Sequence, residues 1–245
     1  MFFIISELNM KAFDREKLKD AIYDSVRRVY NAQNSNVDLY RNTVDCFSAS
    51  IDALAQGISL DGWLEQERDR QIQKTKQNAI GSLHEEIMGS IDGVENLCVG
   101  NVFDILSNEL NIIAEVKNKH NTTKGNHKVQ IYRDLAAKLA EPKYDRFTAY
   151  YVEVLPKNGQ SYNEPFIPSD NILKRRMPKR EDIRVIDGYS FYALLTGHRD
   201  ALEELYNELP YIVAEIFSEL GGEDIDPNLV VNSDIFSNLF DKVYN

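Results

Sequence analysis

Cysteine is nearly absent from this chain: 245 residues hold two, Cys46 and Cys98. With no partner cluster and no metal-type spacing they exclude a disulfide framework and a structural zinc site, and buried reduced thiols are expected. Long hydrophobic runs are also missing. Nothing approaches the roughly 18 apolar residues that a membrane span requires, and the opening MFFII is too short for the apolar region of a signal peptide. The reading is a cytoplasmic chain with no membrane partner. No glycine-rich phosphate-binding loop occurs, which argues against an ATP-driven enzyme. Basic charge is scarce too, with 28 Lys and Arg against 39 Asp and Glu and a formal charge of -11. Such a balance argues at first against a nucleic-acid partner, because phosphate binding rests on Lys and Arg.

The distribution of charge reverses that judgement. From His198 to Asn245 two basic residues stand against eleven acidic ones. From Glu115 to Arg133 five basic residues meet a single acid, and from Asn171 to Arg184 six meet two. Sign asymmetry along a chain points to partners better than the total does. The composition is otherwise that of a globular protein, 43% hydrophobic and 27% charged, long enough for one large domain or a core with a helical addition.

Periodicity organises the rest. Leu18, Ile22, Val26, Val29 and Tyr30 predict an amphipathic helix over about 14–32, and a second helix over about 37–55 ends at Gly57. The stretch 64–77 is helical but almost wholly polar, and beyond Leu64 its one large apolar residue is Ile72. Ile80, Leu83, Ile87 and Ile91 predict a helix leading toward the apolar runs beyond residue 100. Further helices are expected over 127–140, from about Ser190, through Leu202 to Phe217 with a kink or break at Pro210, and from Pro227 onward. FTAYYVEVL at 147–155 reads as a central strand, and 183–186 as a short one. Residues 156–182 hold four of the seven prolines and read as a long functional loop. The fold class is α/β, a mixed sheet of four or five strands flanked by helices. Helical segments are expected over 1–78 and 198–245, the latter acidic and packed on a core spanning 79–197.

The most informative stretch is NVFDILSNELNIIAEVKNKH at 101–120. Apolar runs at 102–106 and 112–116 flank a turn-prone segment and predict a β-hairpin. Ile112, Ile113 and Ala114 are apolar on both faces, the mark of a covered strand, where charges are costly unless paired or functional. Yet Glu115 and Lys117 share one face of that strand, and closing the hairpin brings Asp104 toward them. Two carboxylates and an ammonium suit a magnesium-dependent phosphodiester hydrolase, in which oxygen ligands hold the cation and the lysine orients the attacking water. The alternative is an edge strand decorated with solvated charges.

Asp104, ten intervening residues, then Glu115-Val116-Lys117 resembles the PD-(D/E)xK nuclease signature. Phe103 stands where the superfamily's name puts proline. The flanking runs EVKNKHNTTKGNHK and IRVIDGYSFYALLTG are similar to a family of type II restriction endonucleases that cut short GG...CC palindromes, over roughly 78–197. The resemblance implies a restriction-endonuclease-like core and a sequence-specific double-strand cut. It implies Mg2+ held by Asp104, Glu115 and the main-chain carbonyl of Val116, with Lys117 positioning a water. Superfamily members often lend an acidic group from the preceding helix; His84 and Glu86 border its stripe, while Glu85 projects away.

With double-stranded DNA as partner, Asn118, Lys119, His120 and Asn121 leave the active face directly, and Lys124 and Lys128 could grip phosphates. Arginine suits guanine edges, so Arg175, Arg176 and Arg180 are candidates for base reading, with backbone positioning as the alternative. A palindrome cut in both strands implies a homodimer. Two other readings stay open: a structure-specific PD-(D/E)xK nuclease such as a resolvase or repair enzyme, and a non-catalytic DNA-binding protein.

Overall fold

The computed structural model describes residues 10–34, 39–41, 44–97, 100–222 and 224–244. Two compact units are present, one built from the chain up to Ile22 together with His84 onward, the other Tyr23–Leu83. Helix α1 (Arg15–Asn34) contributes to both. The smaller unit adds α2 (Cys46–Gln56) and α3 (Leu60–Gly81). Its α2 starts nine residues later than the periodicity suggests because Asp45 caps it, accepting from the N–H groups of Phe47 and Ser48, and it ends at Gly57 with φ 68°. Trp63 is buried against Ala49 and Ala53, and its indole N–H donates to Asp52 at 2.8 Å. Cys46 is exposed, which corrects the expectation of a buried thiol: it occupies the first turn of α2, whose buried positions are Ala49 and Ala53. Cys98 lies outside the described residues.

The larger unit contains α4 (Leu83–Gly89), β1 (Glu95–Asn96), β2 (Ile105–Ser107), β3 (Ile112–Lys119), α5 (Gly125–Leu139) and β4 (Thr148–Leu155). It continues through β5 (Asn163–Pro165), β6 (Ser169–Asp170), β7 (Arg175–Arg176) and β8 (Ile183–Asp187). Helices α6 (Gly188–Thr196), α7 (Ala201–Glu219), α8 (Asn228–Val231) and α9 (Asp234–Tyr244) complete it. A six-stranded mixed sheet runs in the order β1-β2-β3-β4-β8-β5, antiparallel at both ends and parallel across β3, β4 and β8. Beside it β6 and β7 form a separate two-stranded ribbon.

The central strands are apolar on both faces because both faces are covered. On one side Ile113, Ala149, Tyr151 and Ile183 join Ile131, Tyr132 and Leu135 of α5 in one core cluster. Tyr150 and Val152 point the other way, and Tyr150 meets Phe191 of α6 at 5.6 Å between ring centroids. The acidic C-terminal helices gain cations from α1: Arg15 pairs with Glu208 and Glu215, and Lys19 with Glu219 at 2.6 Å. Tyr206 of α7 stacks on Phe236 of α9 at 4.3 Å. No helix among the described residues is long and apolar enough to cross a membrane.

Four expectations change. Residues 156–182 are no open loop, because β5 pairs with β8 and β6 pairs with β7. Helix α7 runs unbroken through Pro210, and the final helix is divided into α8 and α9. Helix α6 starts at Gly188, two residues early, because the buried Asp187 caps it, accepting from Ser190 N–H at 2.9 Å and from Tyr162 N–H at 2.8 Å. A Cβ on Gly188 would stand 2.5 Å from the Val154 carbonyl oxygen. Backbone cannot retreat as a flexible side chain could, so Gly188→Ala should cost ~1–3 kcal/mol. A thermal melt lowered by several degrees is expected; an unchanged melt would contradict this packing.

Candidate active site

The register Ile105↔Ala114, continued by one residue, sets Asp104 against Glu115 on the face of the sheet that α5 covers. Asp104 lies just ahead of β2, where its N–H donates to the Ala114 carbonyl at 2.9 Å. Its Oδ2 accepts the Val116 N–H at 2.7 Å, which ties the carboxylate to β3. Lys117 Nζ lies 2.7 Å from Glu115 Oε1 and 3.8 Å from Asp104 Oδ2, and donates to the Val116 carbonyl at 2.9 Å. Strand β3 is interior, flanked by β2 and β4, so the edge-strand alternative does not apply to these charges.

A fourth group comes from α4. Burial first, and then the charges of Asp104 and Glu115 against the pull of Lys117, push the Glu85 carboxyl up to about 7. Burial and Asp104 likewise raise Glu115, outweighing its hydrogen bond from Lys117. For Lys117, burial alone would lower the pKa, but the bond to Glu115 and the charges of Glu115, Asp104 and Glu85 prevail and raise it. The two shifts differ in cause: burial leads the rise of Glu115, whereas at Lys117 the carboxylates outweigh burial. With all four ionised the cluster carries a formal -2.

Glu85 corrects the helical projection from Ala79. That projection assumes one helix, whereas α3 ends at Gly81 with Ser82 as its cap and α4 starts afresh at Leu83. The break shifts the phase and turns Glu85 toward the carboxylates. His84 faces elsewhere. Its Nδ1 is 2.9 Å from the Tyr192 hydroxyl, the rings meet edge to face, and burial holds its pKa down near 4, so the imidazole is neutral and structural. Glu86 neighbours Glu85 and adds to the repulsion on it.

The donors are hard oxygens: three carboxylates and the Val116 carbonyl. Their chemistry and the formal -2 charge fit a divalent cation of the magnesium type. Among the described residues no three His, Cys, Asp or Glu side chains converge tightly enough to hold a metal alone. The Lys117 ammonium lies against the same oxygens, bridging Glu115 and the Val116 carbonyl.

The basic residues divide by their partners. Lys128 Nζ is taken up by the buried Glu153 at 2.5 Å and by the His120 carbonyl at 3.2 Å, and Tyr162 donates to the same Glu153 at 2.6 Å. Arg180 is clamped on Asp182 through two nitrogens. Lys119 and Lys124 are exposed with no ion pair among the described residues, beside Asn118, His120 and Asn121 on the segment leaving β3. Arg175 and Arg176 are exposed on β7.

The Eco47II restriction endonuclease family model matches residues 11–218, β3 included. The chain belongs to the Eco47II restriction endonuclease family. It is 40% identical over 186 residues to the type II restriction enzyme Eco47II of Escherichia coli, covering 74% of this chain and 77% of that one. It is 30% identical over 174 residues to the type II restriction enzyme Sau96I of Staphylococcus aureus, covering 70% and 66% respectively. No solved structure matches the chain. Membership of the Eco47II family makes this a type II restriction endonuclease, a site-specific deoxyribonuclease. Enzymes of that type generally need a divalent metal.

Proposed function

We propose that this chain cuts both strands of duplex DNA at a short GG...CC palindrome in a magnesium-dependent reaction. The observation that carries the reading is the meeting of Asp104, Glu115 and Glu85 with the Lys117 ammonium at the end of β3. Asp104, Glu115 and the Val116 carbonyl are the ligands, and Glu85 completes their negative field. Bound Mg2+ supplies Lewis-acid polarisation of the scissile phosphate and offsets its charge. Lys117 orients the attacking water and stabilises charge gathering on the phosphate oxygens. The water oxygen bonds to phosphorus, the bond to the 3' oxygen breaks, and that oxygen takes up a proton. The products carry 5'-phosphate and 3'-hydroxyl ends.

Recognition falls to the segments beside this site. Asn118, Lys119, His120, Asn121 and Lys124 meet the duplex next to the scissile phosphate. Lys128, held by Glu153, braces the His120 carbonyl rather than reaching DNA freely. Arg175 and Arg176 are the first choices for base reading, and Arg180 could join them only by leaving Asp182. One active site per chain and a two-fold target make a homodimer the working unit in the cytoplasm. A long natural duplex digested with Mg2+ tests this: every sequenced end should fall in one GG...CC palindrome and carry a 5'-phosphate. Ends scattered over sequence, or cutting confined to branched DNA, would contradict it. Sedimentation of a monomer both free and on DNA would remove the dimer.

A further inference from the structure

The β6–β7 ribbon is built more firmly, and tipped more oddly, than a connection needs. Asp170, 5% exposed, ends β6 and accepts the N–H groups of Ile172 at 3.0 Å and Leu173 at 2.9 Å, while its other oxygen takes Arg133 at 2.8 Å. At its base Met177 N–H donates to the Pro168 carbonyl, and Tyr132 of α5 donates to the Pro178 carbonyl at 2.7 Å. The tip so fixed carries two large apolar side chains in water, Ile172 at 77% exposure and Leu173 at 52%. A short turn asks for no such residues; polar ones or glycine would serve at lower cost. Lys174 closes it with φ 49°, a conformation strained for a lysine.

Charge and position single out one partner. Lys174, Arg175 and Arg176 are consecutive, exposed and without ion pairs among the described residues, in a chain of net charge -11. Neighbouring Arg133, Arg180 and Arg184 all have partners. The ribbon lies against the start of α5, where a Cβ on Gly125 would come within 3.4 Å of the Asn171 amide. That start comes directly after the segment leaving the catalytic strand. Two antiparallel strands about 5 Å apart with their side chains fit a major groove ~12 Å wide and not a minor groove half that width. Inside the major groove the apolar surface on offer is the thymine methyl and the C5 edge of cytosine.

We propose that the β6–β7 ribbon is a groove-probing finger, drawn to the duplex by Lys174, Arg175 and Arg176, whose tip residues Ile172 and Leu173 pack on pyrimidine edges in the major groove. The inference rests on the reading of this chain as a duplex-DNA endonuclease. Both tip side chains are exposed, so the full-length Ile172→Ser, Leu173→Ser double variant should melt with the parent. Its binding to a duplex carrying the mapped site, measured without cleavage in Ca2+ across a salt series, should weaken about tenfold or more. The salt slope should stay unchanged, because apolar contacts release no counterions. Lys174→Gln should instead flatten that slope and weaken all duplexes, whereas Arg175→Ala with Arg176→Ala should relax the preference for the mapped site. Parental binding and cleavage by the serine variant would overturn the proposal. So would equal losses on cognate and unrelated duplexes with altered sedimentation, which would assign the tip to contacts between copies of the chain. If the parent cuts no duplex, the endonuclease reading fails first and the finger with it.

Discussion

Lys117→Ala will give a folded protein that cuts DNA at least ~1,000-fold more slowly, the scale on which loss of one group aimed at transition-state charge is felt. The ammonium lies 2.7 Å from Glu115 and 3.8 Å from Asp104, feels the charge of Glu85, and donates to the Val116 carbonyl. Removing it leaves a carboxyl whose pKa is already raised by burial and by Asp104, so Glu115 can take up a proton instead of standing as a bare buried charge. Stability should therefore change little while the chemistry fails. Asp104 differs, since its Oδ2 also accepts the Val116 N–H at 2.7 Å. Asp104→Ala strands that donor and should cost ~1–3 kcal/mol as well as activity, whereas Asp104→Asn keeps an acceptor and should lose activity alone. Paired cleavage rates and thermal melts check both statements. Full activity in either Lys117→Ala or Asp104→Asn would end the assignment.

Glu85→Gln should move activity and stability in opposite directions. The Glu85 carboxyl is raised from the ordinary glutamate value to about 7 by burial first, then by Asp104 and Glu115. Between pH 4.5 and about 7 the folded state holds this proton while the unfolded chain releases it. Stability without metal therefore falls as pH rises through that window, and above it Glu85 stands as an uncompensated charge. Glutamine removes the charge. At pH 8 without metal it should stabilise the protein by ~1–2 kcal/mol, the full shift being discounted for partial solvent screening. The melt should rise by roughly 2–6 °C, with no gain at pH 4. Cleavage should fall by roughly a hundredfold, because the negative field around the divalent cation's ligands loses one charge. In the parent, cleavage should climb from pH 6 to 8 as the Glu85 carboxyl ionises. A Glu85→Gln enzyme of parental activity, or one that melts lower at pH 8, would remove Glu85 from the site.

Most of this site was legible because strand geometry is local. Two residues apart on a strand always share a face, so Glu115 and Lys117 could be paired from the sequence, and the hairpin carried Asp104 to them. Glu85 was not legible. The break at Ser82 between the 22-residue α3 and the 7-residue α4 has no Pro or Gly-Gly signal of its own, and a helical projection carried across it gives the wrong face. The covered sheet could be read from apolar runs such as Ile112-Ile113-Ala114. Strands β5, β6 and β7, two or three residues each, are too short to show periodicity and exist through tertiary pairing. Pro210 does not break α7, which packs on α9 through Tyr206 and Phe236 and continues past a residue that ends isolated helices. The split between engaged and unengaged arginines was likewise invisible, because Asp182 lies two positions from Arg180 and only the fold says that they meet.

The most direct test is anomalous diffraction from Mn2+ in crystals of the chain bound to uncut duplex. The account predicts a peak between Asp104 and Glu115, beside the Val116 carbonyl and the scissile phosphate, that is lost or weakened in Glu85→Gln. A metal bound elsewhere, or DNA seated with its backbone away from Lys117, would contradict it.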